Sequence, residues 1–133
     1  MPDDDVGRIT AEWLRYARED LALAQTTLAS RGAPRHVAYH SQQAAEKAIK
    51  ALLVWAQIEF PFVHDLDGLR DMTPADSGLH SEFPQLGSLT RWAIRARYPL
   101  LDEPTEEEAV DAARLAQGVV QAVEKDLEGR DVG

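Results

Sequence analysis

Between Pro34 and Gln57, the residues Val37, Ser41, Ala44, Ala45, Ala48, Ala51, Leu52 and Trp55 recur at three- and four-residue spacing. That period belongs to one face of an α-helix, and small residues along it let a neighbouring helix come close. A helix of this span is roughly 35 Å long, the scale of a whole small bundle. Everything else in the fold has to be arranged around such an element. Threaded between its small residues are Gln42, Gln43, Glu46, Lys47 and Lys50. One reading makes Glu46 and Lys50 a surface i,i+4 pair with the rest solvated. The other has these groups meet polar partners, Asp20 of the preceding helix among them, across a bundle or dimer seam.

Other segments follow the same period. From about Ile9 to Ser30, the positions Ile9, Trp13, Tyr16, Ala17, Leu21, Ala24 and Leu28 form one apolar stripe. The phrase SRGAP ends this helix, with Gly32 suited to a C-terminal cap and Pro34 to the next first turn. A short helix is expected from Asp65 to Asp71 and a loop over TPADSGLHSEFP, which is dense in turn residues. A fourth helix is expected from about Gln85 to Arg97, stopped by Pro99. Thr105 followed by Glu108 is a capping box for a last helix, with Glu106 and Glu107 favouring its N-terminus. Its apolar face runs Ala109, Ala112, Ala113, Ala116, Val119, Val120, Val123 and Leu127, and Gly129 ends it. No strand-like alternation and no internal repeat is present. The expectation is an all-α, up-and-down bundle of four main helices plus a short one, forming a single domain over residues 1–133.

Composition narrows the function classes. The 133 residues contain no cysteine, which excludes disulfides, thiolate metal sites and cysteine nucleophiles. No apolar run approaches the roughly 20 residues of a bilayer span, and MPDDD does not resemble a signal peptide. A cytoplasmic location without membrane association is expected. The net charge of −9 argues against wrapping nucleic acid through bulk electrostatics. It is unevenly spread: residues 1–80 hold 8 bases and 12 acids, residues 101–133 hold 3 and 10, and residues 81–100 hold 3 and 1. The basic island RWAIRARY supplies Arg91, Arg95 and Arg97. It suits an anionic ligand, though arginines near a helix C-terminus also complement its dipole.

The string QQAAEKAIKALL, with Trp13, Ala17-x-x-Asp20-Leu21, His64-Asp65-Leu66 and Arg97-Tyr98-Pro99 in order around it, resembles the HEPN family (higher eukaryotes and prokaryotes nucleotide-binding). The resemblance extends from about Ile9 to Leu127. It implies a helical bundle that forms homodimers, is often encoded beside a minimal nucleotidyltransferase, and in several pairs acts in a toxin–antitoxin system. It also implies, for many members, a metal-independent ribonuclease whose motif is an arginine followed after four to six residues by a histidine. The histidine would move the 2′-hydroxyl proton while the arginine stabilises the phosphate charge.

This sequence departs from that motif. Arg97 stands at the family's late-helix position, but none of the four histidines, His36, His40, His64 and His80, follows it. Arg31 to His36 and Arg35 to His40 match the spacing at the entrance to the second helix, where so loose a pattern arises by accident. The residues singled out are therefore Arg97 and His64 for catalysis, and Arg91, Arg95, Arg97, Tyr98, Gln43, Lys47 and Lys50 for ligand binding. Tyr98 is also a candidate acceptor of nucleotidylation. His36 and His40, four apart, lack a third ligand, so neither a metal nor another cofactor is expected. The expected role is a nucleotide- or RNA-associated subunit beside a nucleotidyltransferase. The alternative is a ribonuclease centred on Arg97. Trp13, Trp55 and Trp92 read as core anchors.

Overall fold

The computed structural model describes residues 3–95 and 103–130, with residues 3, 4, 94 and 95 as backbone. Three long helices dominate it: α1 (Asp3–Ala29), α2 (Pro34–Trp55) and α7 (Glu106–Arg130), of 27, 22 and 25 residues. Between α2 and α7 lie the short helices α3 (Leu66–Asp71), α4 (Leu79–Glu82), α5 (Gly87–Thr90) and α6 (Trp92–Arg95). The described residues contain no strand. The all-α expectation holds. The expected four-plus-one arrangement does not, because short turns of helix occupy the place of a fourth main helix.

α2 is the central element, packed by α1, α7, α3, α5 and α6. Its apolar positions from Val37 to Leu53 are fully buried, with Ala44, Ala45, Ala48 and Ala51 giving its neighbours close approach. α7 contributes the expected face from Ala109 to Val123, with Leu127 partly buried at its edge. The deep face of α1 is displaced from the one read above. Thr10, Leu14, Ala17 and Ala24 are buried and Leu21 and Leu28 pack beside them, a regular alternation of three and four. Ile9, Trp13 and Tyr16 lie on the next stripe, and Tyr16 is exposed. Among the tryptophans only Trp92 is fully in the core; Trp13 and Trp55 are partly buried.

Local chemistry explains the element ends. α1 begins at Asp3 rather than near Ile9, since the acids of residues 3–5 suit the positive end of a helix. At its C-terminus the left-handed residue is Arg31, with φ 59°, not Gly32. The N–H of Arg31 donates to Leu28 O at 3.1 Å and that of Gly32 to Thr27 O at 2.8 Å. Gly32 is needed for space: a Cβ there would stand 2.6 Å from Thr27 Cγ2. α2 ends the same way, with Gln57 at φ 56° and Ile58 N–H returning to Leu53 O at 2.9 Å. The capping box forms as expected: Glu108 N–H donates to Thr105 Oγ1 and Thr105 N–H to the Glu108 carboxylate, both at 3.0 Å. The Thr105 N–H, chiefly, holds the Glu108 carboxyl below the ordinary carboxylate range. α7 runs on through Gly129 to Arg130, whose guanidinium bonds Asp126 and Asp76.

The break in the expected fourth helix is tertiary in origin. Asp67 of α3 accepts Leu86 N–H at 2.7 Å, capping α5 from a distance, and Thr90 Oγ1 accepts Leu66 N–H at 3.0 Å. Arg70, 8% exposed, ties the same region together by donating to Asp67, Asp71 and Phe83 O. The expected loop over TPADSGLHSEFP contains α4, and Phe83 at its end lies against Gly118 of α7, where a Cβ would come within 3.0 Å of the ring.

Two substitutions should move stability in opposite directions. Gln57→Gly relieves a left-handed side-chain clash and is expected to stabilise the fold by about 0.5 kcal/mol. Gly32→Ala is expected to cost about 1 kcal/mol. Urea unfolding of the two variants checks this; a Gln57→Gly protein less stable than wild type would contradict the left-handed cap.

Candidate functional site

The polar residues of α2 divide into two clusters, each built on one carboxylate. Asp20 of α1 accepts from Lys47 Nζ at 2.6 Å and lies 3.0 Å from His40 Nδ1. His40 and Lys47 are seven residues apart and so share the helix face turned to α1. Glu46, 4% exposed, is the centre of the second cluster. Its Oε2 accepts from Lys50 Nζ at 2.9 Å, and its Oε1 accepts from Gln42 Nε2 at 2.9 Å and meets His64 Nδ1 at 2.7 Å. Gln43 completes the chain by donating to Gln42 Oε1 at 2.7 Å. The polar face is thus interior, as the seam reading held. The grouping differs from the one expected, because Asp20 pairs with His40 and Lys47 while Glu46 and Lys50 pair with His64.

The electrostatics of Glu46 follow from this setting. Burial pushes its pKa up, but hydrogen bonds from His64, Lys50 and Gln42 outweigh that penalty and hold the carboxyl below its ordinary 4.5. An ionised carboxylate only accepts hydrogen bonds, so the proton of the Glu46–His64 contact belongs to Nδ1 of the imidazole. In the neutral ring, Nε2 is then the basic nitrogen. The His64 side chain is 44% exposed, so this cluster reaches solvent through His64. Lys50, by contrast, is 8% exposed, with Nζ 5.6 Å from the ring centres of both Trp13 and Phe60.

The other histidines are placed differently. His80 Nε2 lies 3.1 Å from Thr73 Oγ1, Thr73 O and Pro74 O, in a structural role. His36 is exposed on α2. No group of three metal-ligating side chains occurs among the described residues. The bond from Leu66 N–H to Thr90 Oγ1 joins the His64-Asp65-Leu66 segment to α5, directly before the arginine island. Arg91 is paired with Glu108 and stacks on Trp92 at 4.5 Å. Arg95 lies at the end of α6, its side chain not described; Arg97 and Tyr98 lie outside the described residues. The structure therefore brings Gln43, Lys50 and His64 into one network and Lys47 into its neighbour. Sequence reasoning missed the His40 partner of Asp20 and, though it placed Gln42 on the polar face, did not count it among the site residues. The line that Gln42, Glu46 and Lys50 follow on the helical wheel is the one along which the Glu46 network forms.

With that geometry in place, comparison with known proteins is decisive. The HEPN domain matches residues 10–126. The chain belongs to the HEPN family. It is similar to a Methanocaldococcus jannaschii protein named "Putative toxin MJ1304", at 31% identity over 84% of this chain and 83% of that one. It is also similar to the crystal structure of TT1696 from Thermus thermophilus, with a TM-score of 0.70 and 27% identity, covering 87% of this chain and 96% of that one. Among the described residues of this HEPN protein, no helix is long and apolar enough to cross a membrane.

Removing one partner of the buried pair should be costly. Lys50→Ala is expected to destabilise the protein by about 3 kcal/mol, since it leaves Glu46 ionised and underpaired in the interior. The pH dependence has a defined sign. Because the folded-state pKa of Glu46 is depressed, its stabilisation is present above 4.5 and is lost as pH falls through the folded value. The stability gap between wild type and Glu46→Gln should therefore close as the pH is taken down from 4.5 through the depressed folded-state value. Urea titrations at several pH values measure that gap; one that widens toward acid would contradict the assignment.

Proposed function

We propose that this chain is the nucleotide- or RNA-associated subunit of a two-component, toxin–antitoxin-like system, acting in the cytoplasm as a homodimer with a minimal nucleotidyltransferase as its partner protein. The observation that carries the reading is the HEPN match over residues 10–126, with a toxin-named relative spanning most of both chains. The basic island supports it as a phosphate-binding element of an otherwise acidic protein. Arg91, Arg95 and Arg97 are assigned to phosphate oxygens and Tyr98 to stacking or modification beside them. Gln43, Lys47 and Lys50, which donate to Gln42, Asp20 and Glu46, are assigned to positioning within the bundle rather than to direct ligand contact. The absence of a histidine after Arg97 favours binding over cleavage.

One observation favours a second reading, metal-independent RNA cleavage. The Glu46–His64 pair presents a base whose loop is joined to the helix preceding the island. In that reaction His64 Nε2 takes the 2′-hydroxyl proton, O2′ attacks phosphorus, and the P–O5′ bond breaks. The products are a 2′,3′-cyclic phosphate and a 5′-hydroxyl, whose oxygen takes up the proton from the imidazolium. Arg97 would offset the phosphate charge.

The two readings separate in one experiment. Labelled mixed-sequence RNA is incubated in EDTA with wild type, Arg97→Ala and His64→Ala, and binding is followed by anisotropy at two salt concentrations. Binding without cleavage, weakened at least tenfold by Arg97→Ala, is the expected outcome. Cleavage abolished by both substitutions would establish the second reading. Folded wild type that neither binds nor cleaves RNA or mononucleotides would defeat the nucleic-acid assignment.

A further inference from the structure

The Asp20 cluster contains a histidine to which the function proposed above gives no part. Between His36 and Leu53, the positions of α2 that are not buried are His36, Tyr39, His40, Gln43 and Lys47. They share one side of the helix, and His36 and His40, four residues apart, are neighbours on it. His40 is held in place from two directions. Its Nδ1 lies 3.0 Å from Asp20 Oδ1, and the Tyr39 ring meets it edge-on with the ring centres 5.3 Å apart. The Asp20 carboxylate also accepts from Lys47 Nζ, so the proton of the His40 contact belongs to Nδ1 and the lone pair of the neutral ring to Nε2. Among the described residues Nε2 has no hydrogen-bond partner, and the buried atoms without one are Ser41 Oγ and Asp126 Oδ2. Nε2 of His40 therefore opens to solvent. His36 is exposed, and its ring makes no hydrogen bond among the described residues.

We propose that His36 and His40 chelate a divalent transition-metal ion of the zinc and copper type, with Asp20 as the carboxylate that orients His40. Two histidines one helical turn apart are a metal-binding pattern, because their free nitrogens can converge on one ion. A ligating imidazole ordinarily donates its other N–H to a carboxylate, which fixes the ring and raises its basicity. The Asp20 contact supplies that support before any metal arrives. Imidazole nitrogen suits zinc, nickel and copper, whereas magnesium and calcium favour oxygen donors. The positive charges beside the pair are already offset, Lys47 by Asp20 at 2.6 Å and Arg35 by Glu103 at 3.2 Å. No third metal-ligating side chain joins the pair among the described residues. That argues against a closed structural site and leaves an open one, whose other positions fall to water or to an oxygen atom of a bound molecule. The inference does not depend on the nucleotide or RNA reading above.

The test is calorimetric titration of the metal-stripped protein with Zn²⁺ in a non-chelating buffer. Wild type, His36→Ala, His40→Ala and Asp20→Asn are compared, with circular dichroism to show that each is folded. Wild type is expected to bind one equivalent. Removing either histidine should weaken binding by more than roughly tenfold, and Asp20→Asn by about tenfold. Titration with Cu²⁺ gives a second readout, since the electron paramagnetic resonance spectrum of wild type should show coupling to two nitrogens and that of either histidine variant to one. Folded wild type that takes up neither ion at submillimolar metal would overturn the site. Equal affinity in wild type and His36→Ala, or a copper signal from one nitrogen in wild type, would overturn the chelating pair. Asp20→Asn binding as tightly as wild type would overturn the part given to Asp20.

Discussion

The structure depends on one buried carboxylate. Glu46 stands at the middle of the central helix, where an ion without partners would cost several kcal/mol. It is accommodated because Lys50, Gln42 and His64 converge on its two oxygens from one helical turn on either side and from the following loop. The network does more than neutralise charge. It draws the His64 loop onto α2, and Lys50 in turn lies between Trp13 of α1 and Phe60 of that loop. The mutual placement of α1, α2 and the loop before α3 is thereby specified by groups with strict directional requirements, which purely apolar packing would leave freer to slide.

Around that point the bundle is built from small residues. Five alanines of α2 are completely buried, and α7 meets the bundle with Ala109, Ala112, Ala113 and Ala116 before its larger valines. Such surfaces bring helix backbones near one another and leave little room for long side chains between them. The polar groups of α2 are consequently confined to the sectors facing α1 and the loop, where Asp20 and His64 meet them. The short helices α3, α5 and α6 fill the remaining side with Leu66, Leu69, Leu89 and Trp92.

The chemistry of the site and the surface of the protein meet at one end. The carboxylate stays interior and ionised, while the imidazole it holds is half exposed, so a buried charge is linked to a solvent-facing base. Arg91 follows directly on the helix that contacts this loop, and the exposed Phe62 lies two residues before His64. The Leu66–Thr90 bond thus sets the loop of the oriented histidine beside the residue that precedes Arg91.

The amino-acid sequence by itself determined the helical class, the span of α2, the capping box at Thr105 that starts α7 and the apolar faces of α2 and α7. These are local matters, decided by periodicity and by hydrogen bonds between residues a few positions apart. It also carried the HEPN resemblance through QQAAEKAIKALL. Only the tertiary structure decided which stripe of α1 turns inward, because Ile9–Trp13–Tyr16 and Thr10–Leu14–Ala17 are both periodic and differ by about 100° around one axis. It also decided that Asp20 joins His40 and Lys47 while Glu46 joins His64. An acid can pair with any base the fold brings near, and sequence spacing does not choose among them. The expected helix over residues 85–97 broke for the same reason: Asp67 and Thr90 form hydrogen bonds across nineteen and twenty-four residues, and such long-range bonds override local helical preference.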